Sequence, residues 1–342
     1  MMKKSRVTIK DVAKEAGVSV ATVSYVFNDI DVVGAKTRAR VLQVAEKLGY
    51  RPHVLAKNLR SQRSHTLAYC WRSAEPDQWH PVMERFLAGL SEPAKKLGYY
   101  VIPVLEQLPV NDFKHYDELF LSGRVDGFIV SNTLGADPRL RHLSERDFPF
   151  VSFGRSDLDL EFPYVDVDDE DGAFQVVDHL LAKGHRRIGL VNWPLGTSLT
   201  GRFREAGYRR ALEKVGIPFD ATLVKHIPHE ERAVRLATRE LMTLPEQQRP
   251  TAIFAVADFM AIGVLNTLYE LDLQPGRDVA VAGYDDIPTA QYFRPSLTTV
   301  RMPLYEIGQT AIAMLVKLIN SEPLESRNIL FKPKLIVRES SG

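Results

Sequence analysis

A chain of 342 residues is too long for one ordinary core and fits two or three domains. Its 45% hydrophobic and 25% charged residues fit a soluble globular protein and exclude a disordered one. The net charge is +1, but residues 1–63 hold 13 Lys or Arg against 5 Asp or Glu, so a head of +8 precedes a body of −7; such a head suits a polyanion. A single cysteine, Cys70, excludes an internal disulfide and a cysteine-based zinc site, and its apolar surroundings point to a buried, inert thiol. No apolar run approaches a membrane span and no signal segment opens the chain, so a cytoplasmic protein is expected.

Residues 7–28 read as two short helices joined by a tight turn. Thr8 can cap the first, with Asp11 as its capping-box partner, and Val12, Ala13 and Ala16 form its apolar face. Gly17 supplies the positive φ that the turn needs. Ser19 caps the second helix, whose Val23, Val26 and Phe27 face the first. Ser19, Val20, Ala21, Thr22 and Tyr25 remain on the outer side as small or hydrogen-bonding groups. Such a face can enter a major groove, where hydroxyls reach phosphates and apolar groups meet thymine methyls. Val41, Val44, Ala45 and Leu48 give a third helix, which Gly49 can end.

Residues 51–63 form a basic connector, in which Pro52 can open a short helix. From residue 66 strands and helices alternate. Strands are expected at 66–71, 99–105, 126–130 and 149–153, with helices at 81–97, 112–123 and 138–147. The pattern restarts with helices at 169–183, 199–215, 231–244 and 258–271 and strands at 187–192, 223–227, 252–256 and 279–283. Two successive βα arrays predict two parallel-sheet lobes. Residues 296–300 read as a strand, 304–319 as an amphipathic helix and 330–337 as a last strand.

Ligands of open α/β sheets sit beyond the carboxyl ends of the strands. Trp71, Arg72, Arg155, Trp193, Phe259 and Asp285 follow or end predicted strands and are candidate ligand contacts. Aromatic rings beside carboxylate and guanidinium groups suit a sugar, whose C–H faces stack while its hydroxyls bond to Asp and Arg. Any single tryptophan is more often core packing than a ligand platform, and two at strand ends bring the two readings level. Enzymatic signals are weak: no nucleophile elbow, Walker loop or dinucleotide fingerprint is present. His226 and His229 lack a placed third ligand and read as surface residues, and the acidic run 166–171 reads as a cap for the next helix. No cofactor and no metal are expected.

Val7-Thr8-Ile9-Lys10-Asp11-Val12-Ala13, Gly17-Val18-Ser19 and Thr22-Val23-Ser24 resemble the LacI–GalR family of bacterial transcriptional repressors, and the resemblance runs through almost the whole chain. It implies an all-α helix-turn-helix domain at 1–50, a hinge helix at 51–63 that orders on DNA, and an α/β two-lobed core of the type I periplasmic-binding-protein kind at 64–342. The first subdomain would span about 64–164 plus 297–322 and the second about 165–296 plus 323–342, with crossovers near 164–168, 294–300 and 321–325. The resemblance implies base contacts from Val20, Ala21 and Tyr25, and phosphate contacts from Thr8, Ser19, Thr22 and Asn28. It places Ala56, Lys57 and Leu59 in the minor groove, with Leu59 as the wedge. Arg204, in Arg204-Glu205-Ala206-Gly207-Tyr208, and Asp285, in Gly283-Tyr284-Asp285-Asp286, match effector-binding positions.

The expectation is therefore a homodimeric repressor on a palindromic operator, released by a small carbohydrate such as a glucoside or oligosaccharide, because Ala257 stands where many sugar-responsive members have Asn. A regulator with a nucleobase corepressor and a plain ligand-binding receptor are the alternatives. No heptad zipper follows Val337.

Overall fold

The computed structural model describes residues 7–27, 30–50, 63–73, 83–107, 112–196, 199–228 and 230–342, with the backbone only at Arg72, Ser73 and Gln107. Two compact units, Met1–His65 and Thr66–Gly342, divide the chain.

The head contains α1 (Ile9–Ala16), α2 (Val20–Phe27) and α3 (Ala35–Leu48). Asp11 Oδ2 accepts the Thr8 backbone N–H at 2.8 Å and the Thr8 hydroxyl at 2.7 Å, which closes the start of α1. Gly17, at φ 62°, takes the left-handed conformation and lets Val18 N–H reach the Ala13 carbonyl at 3.0 Å. The turn is thus set by one residue that lacks a side chain. Ser19 Oγ accepts the Thr22 N–H at 3.0 Å and caps α2. Val12, Ala13, Ala16, Val23, Val26, Val41 and Ala45 form the buried centre. Its few small side chains make the head a marginally stable unit.

The larger unit starts with β1 (Thr66–Ser73), α4 (Met83–Lys96), β2 (Tyr100–Gln107), α5 (Lys114–Leu121), β3 (Gly127–Val130), α6 (Pro138–Glu145), β4 (Phe150–Phe153) and β5 (Tyr164–Val167). The second lobe contains α7 (Asp169–Ala182), β6 (Ile188–Asn192), α8 (Leu199–Lys214), β7 (Val224–His226), α9 (Glu231–Met242), β8 (Ala252–Ala255), α10 (Asp258–Glu270) and β9 (Ala280–Ala282). The chain closes with β10 (Thr299–Arg301), α11 (Leu304–Ile319), β11 (Asn328–Phe331) and β12 (Lys334–Ile336). The first sheet has the order β11-β5-β4-β3-β1-β2, the second β7-β6-β8-β9, and every pairing in both is parallel. Strands buried on both faces need near-continuous apolar runs, and β3, β6 and β8 are buried throughout.

Two of the three crossings differ from expectation. The first falls at Asp168, within the expected 164–168, but residues 164–167 pair as β5 in the first sheet, because Val165 and Val167 bury in the first core, and so the lobe boundary lies after them and not at 164/165. Leu297 and Val300 bury in the second core, so the second crossing falls at residues 302–303 and not at 294–300. Met302 packs on both cores there. The last crossing follows Phe331 and does not lie at 321–325. The single strand expected at 330–337 is two, with β11 on the edge of the first sheet and β12 antiparallel to β10. Pro333 lies between them and lacks the N–H that a continuing ladder would need.

Gly207 joins α8 to α7. A Cβ there would lie 2.1 Å from the Glu170 carbonyl oxygen, so only glycine lets these helices approach so closely. This contact brings Asp169, at the start of α7, beside Arg204 on α8.

Candidate functional site

On the head, Ser19 and Ala21 are exposed, Val20 is 42% exposed, and Thr22 and Tyr25 are half-buried along the outer side of α2. Thr8 is exposed at the start of α1. The Ser19 and Thr22 hydroxyls lie 2.8 Å apart, so the two expected phosphate contacts are hydrogen-bonded to each other. Asn28, Ala56, Lys57 and Leu59 lie outside the described residues.

In the core, the connections from parallel neighbouring strands run to opposite sides of the sheet at β1/β3 and at β6/β8. Such points leave crevices beyond the strand ends. Trp71 lies near the carboxyl end of β1, and Trp193 directly follows β6. The Trp71 ring tilts on Tyr69 at 5.5 Å, and its buried Nε1 has no hydrogen-bond acceptor among the described residues. Asn192 Oδ1 accepts the Trp193 backbone N–H at 2.8 Å and fixes the start of that loop. Phe259, on the first turn of α10, is 46% exposed. Arg72 pairs in register with Glu106 of β2, and its side chain lies outside the described residues.

Two guanidiniums organise the polar part, the half-buried Arg155 and the buried Arg204. Arg155 donates through Nε to Asp166 at 2.8 Å, and its guanidinium stacks on Phe203 of the second lobe at 3.7 Å. Arg155 and Phe203 also line a cavity of about 230 Å³ between the lobes. Arg202 and Asp157 form a second inter-lobe contact, an ion pair of 2.5 Å. Arg204 lies flat on the Tyr284 ring at 3.5 Å. It donates through Nε to Asp169 at 2.9 Å, keeps a second contact to the same carboxylate at 2.8 Å, and bonds to the Val256 carbonyl. Asp285 is only 3.7 Å away, at a φ of 124° that holds it out of the strand direction. The structure therefore brings Arg204, Asp285 and Trp193 together. Sequence reasoning missed Asp169, whose signal was the acidic run 166–171. Within that run Asp168 is the helix cap, accepting the Asp171 N–H at 3.1 Å, while Asp169 turns to Arg204.

Asp258 is structural: its carboxylate accepts the Ile287 N–H at 2.9 Å and the Thr299 hydroxyl at 2.5 Å. His226 is exposed, as expected of a surface residue, and its Nε2 lies 2.6 Å from the buried Glu205 carboxylate. His229 lies outside the described residues. Among the described residues no cluster of metal ligands occurs, and no helix is long and apolar enough to cross a membrane.

Burial pushes the Asp285 carboxyl up to about 7, against the pull of Arg204. Burial, helped by Asp169, pushes Asp166 up to about 6 against the pull of Arg155. Burial, with Asp285 beside it, also holds Asp258 well above the ordinary range. The folded core thus binds protons that an unfolded chain, with carboxyls near ~4, has already lost. Stability should therefore rise as pH falls from 8 to 6.5, by up to about 1.4 kcal/mol per pH unit for each titrating group. Below that range His179 and His185 oppose the trend, because burial holds both imidazoles below their usual value. Melting temperatures of wild type and Asp285→Asn across this window check the assignment; the variant should lose most of the slope, and an unchanged slope would refute it.

Comparison with known proteins agrees with this architecture. Residues 8–53 match the bacterial regulatory proteins of the lacI family, and residues 177–341 match the periplasmic binding protein-like domain. The chain is 32% identical over 335 residues to the HTH-type transcriptional repressor PurR of Yersinia pestis (strain Pestoides F), covering 97% of this chain and 96% of that protein. A solved complex of the transcriptional regulator CelR with cellobiose is 30% identical, with a TM-score of 0.73 over 98% of this chain and 100% of that one. The lac repressor dimer bound to operator and the anti-inducer ONPF is 28% identical, with a TM-score of 0.82 over 98% of this chain and 99% of that one. Fold and site define a helix-turn-helix transcriptional regulator with a periplasmic-binding-protein-like core. The chain belongs to the LacI family of bacterial regulatory proteins.

Proposed function

We propose that this protein is a homodimeric repressor that binds a palindromic operator and leaves it when a small neutral carbohydrate, a glucoside or oligosaccharide, occupies the cleft. One observation carries the effector part: Trp71 and Trp193 stand at the two strand-order reversals, with the Asp285 carboxylate close to Trp193's side of the cleft. Rings take the C–H faces of a sugar, and carboxylates take its hydroxyl protons. The relative solved with cellobiose supports the same reading.

On the DNA side, Val20, Ala21 and Tyr25 read bases, while Thr8, Ser19, Thr22 and Asn28 hold phosphates. Ala56, Lys57 and Leu59 enter the minor groove, Leu59 as the wedge. Trp71, Arg72, Arg155, Trp193, Arg204, Phe259 and Asp285 form the effector cleft. Tyr25 cannot make the two-bond contact by which arginine reads guanine. Tyr25→Arg should therefore change half-site preference, with about 1–3 kcal/mol of discrimination at one base pair. Selection from a randomised palindrome pool, followed by fluorescence anisotropy at low salt, tests both points. No preference for any palindrome over random duplex would refute operator binding, and an unchanged selected site would refute the role of Tyr25. Removal of residues 1–60 should abolish DNA binding and spare ligand binding. Coupling is reciprocal, so an inducing sugar must bind the operator complex more weakly than the free protein; tighter binding on DNA would make it a corepressor.

A further inference from the structure

We propose that Asp169 sets the charge of the effector: by occupying Arg204 it makes the cleft a site for uncharged, hydroxyl-donating ligands and closes it to phosphorylated ones. The inference deepens the effector reading above and rests on it. Arg204 is the basic group at the heart of the second lobe's side of the cleft, and an unoccupied guanidinium there would bind an oxyanion through two parallel bonds. That face is taken. Asp169 receives Nε at 2.9 Å and contacts the neighbouring amino group at 2.8 Å, while the Val256 carbonyl takes the remaining side. Asp169 and Arg204 are 4% and 3% exposed, so water does little to screen the pair.

What stays within reach beside the pair is Asp285, whose side chain keeps 17% of its exposure. Above pH 7, where the Asp285 carboxyl is mostly ionised, it accepts hydrogen bonds and repels an anion, so the titrations are run at pH 8. A ligand arriving here thus meets an acceptor, backed by the second carboxylate of Asp169, and a guanidinium already neutralised. Arg155 is neutralised in the same way, since Asp166 accepts from its Nε at 2.8 Å and the Val167 carbonyl accepts from a second donor at 3.3 Å. Asp169 acts through Arg204 and is a positioning residue. It begins α7 immediately after the first crossing between the lobes, so the pair is also held at the joint about which the lobes are connected.

The test uses the full chain and three forms: wild type, Asp169→Asn and Asp171→Asn. Asp171 removes the same charge from the same turn but bonds to Gln175 and faces Arg210, so it leaves Arg204 paired. Titration calorimetry compares neutral sugars, cellobiose among them, with their phosphate esters, and thermal shift reads inorganic phosphate alone. Wild type and Asp171→Asn should bind a neutral sugar at least about tenfold more tightly than its phosphate ester, and phosphate should not stabilise them. Asp169→Asn should narrow or invert that ratio by at least about tenfold and should gain a melting shift with phosphate. A wild-type preference for the phosphate ester overturns the proposal. So does a ratio in Asp169→Asn equal to that of wild type, or an equal change in Asp171→Asn. If no sugar of either kind binds, the carbohydrate reading fails by itself, and the phosphate shift of Asp169→Asn still decides the role of Asp169: its presence in that variant alone supports the proposal, and its absence refutes it.

Discussion

Arg204→Ala is expected to destabilise the core by about 3–5 kcal/mol, because it leaves the nearly buried Asp169 carboxylate without its counter-charge. The loss should depend on pH in a way that a packing defect would not. Asp285 and Asp166 titrate near 7 and 6, so the site can neutralise itself by taking up protons, and the penalty should shrink from pH 8 to pH 5.5. Asp169→Asn added to Arg204→Ala should recover a large part of the loss, with a coupling of about 2 kcal/mol between the two sites. Urea denaturation at both pH values measures all three forms. An Arg204→Ala penalty that is the same at both pH values would show that Arg204 matters for packing on Tyr284 and not for charge.

Arg139→Ala is expected to cost a comparable 3–5 kcal/mol in the first lobe. Arg139 is fully buried and donates to Glu106 at 2.6 Å and to Asp137 at 3.0 and 2.8 Å. The same Nη2 that meets Asp137 also lies 2.9 Å from the Ser131 carbonyl and 3.1 Å from the Asn132 carbonyl. Glu106 also accepts the Tyr116 hydroxyl at 2.5 Å, and the His115 ring lies 3.1 Å away. Removal of one arginine therefore strands two carboxylates and two carbonyls at once. Because Ser131 and Asn132 follow β3 at the cleft end of the sheet, ligand affinity should fall as well as stability. Arg139→Lys should not rescue either property, since one ammonium cannot reproduce the planar fork. Equilibrium unfolding and calorimetry on the two variants check this; full recovery with lysine would reduce the network to a simple charge pair.

Much of this molecule was legible before folding because its signals are local. Thr8 with Asp11, Gly17 at the turn and Ser19 before α2 each act on neighbours within three residues, and the structure shows those bonds. The alternation of apolar runs with amphipathic stretches likewise placed the strands and helices, since each period is written in successive residues. The crossings between lobes were legible only in part. Residues 164–167 and 328–331 are short segments whose strand character comes from partners far away in sequence, and β5 pairs with β11 across more than half the core.

The amino-acid order alone determined the helix-turn-helix head, the two parallel-sheet lobes and the candidate residues at strand ends, because capping, periodicity and turn chemistry depend on near neighbours. Only the tertiary structure decided which of those side chains meet. The glycine contact of α8 on α7 brings Asp169 against Arg204, and the burial that follows raises the carboxyls beside them. A charge in an acidic run looks the same whether it caps a helix or grips an arginine 35 residues away, and its environment exists only after the chain has packed.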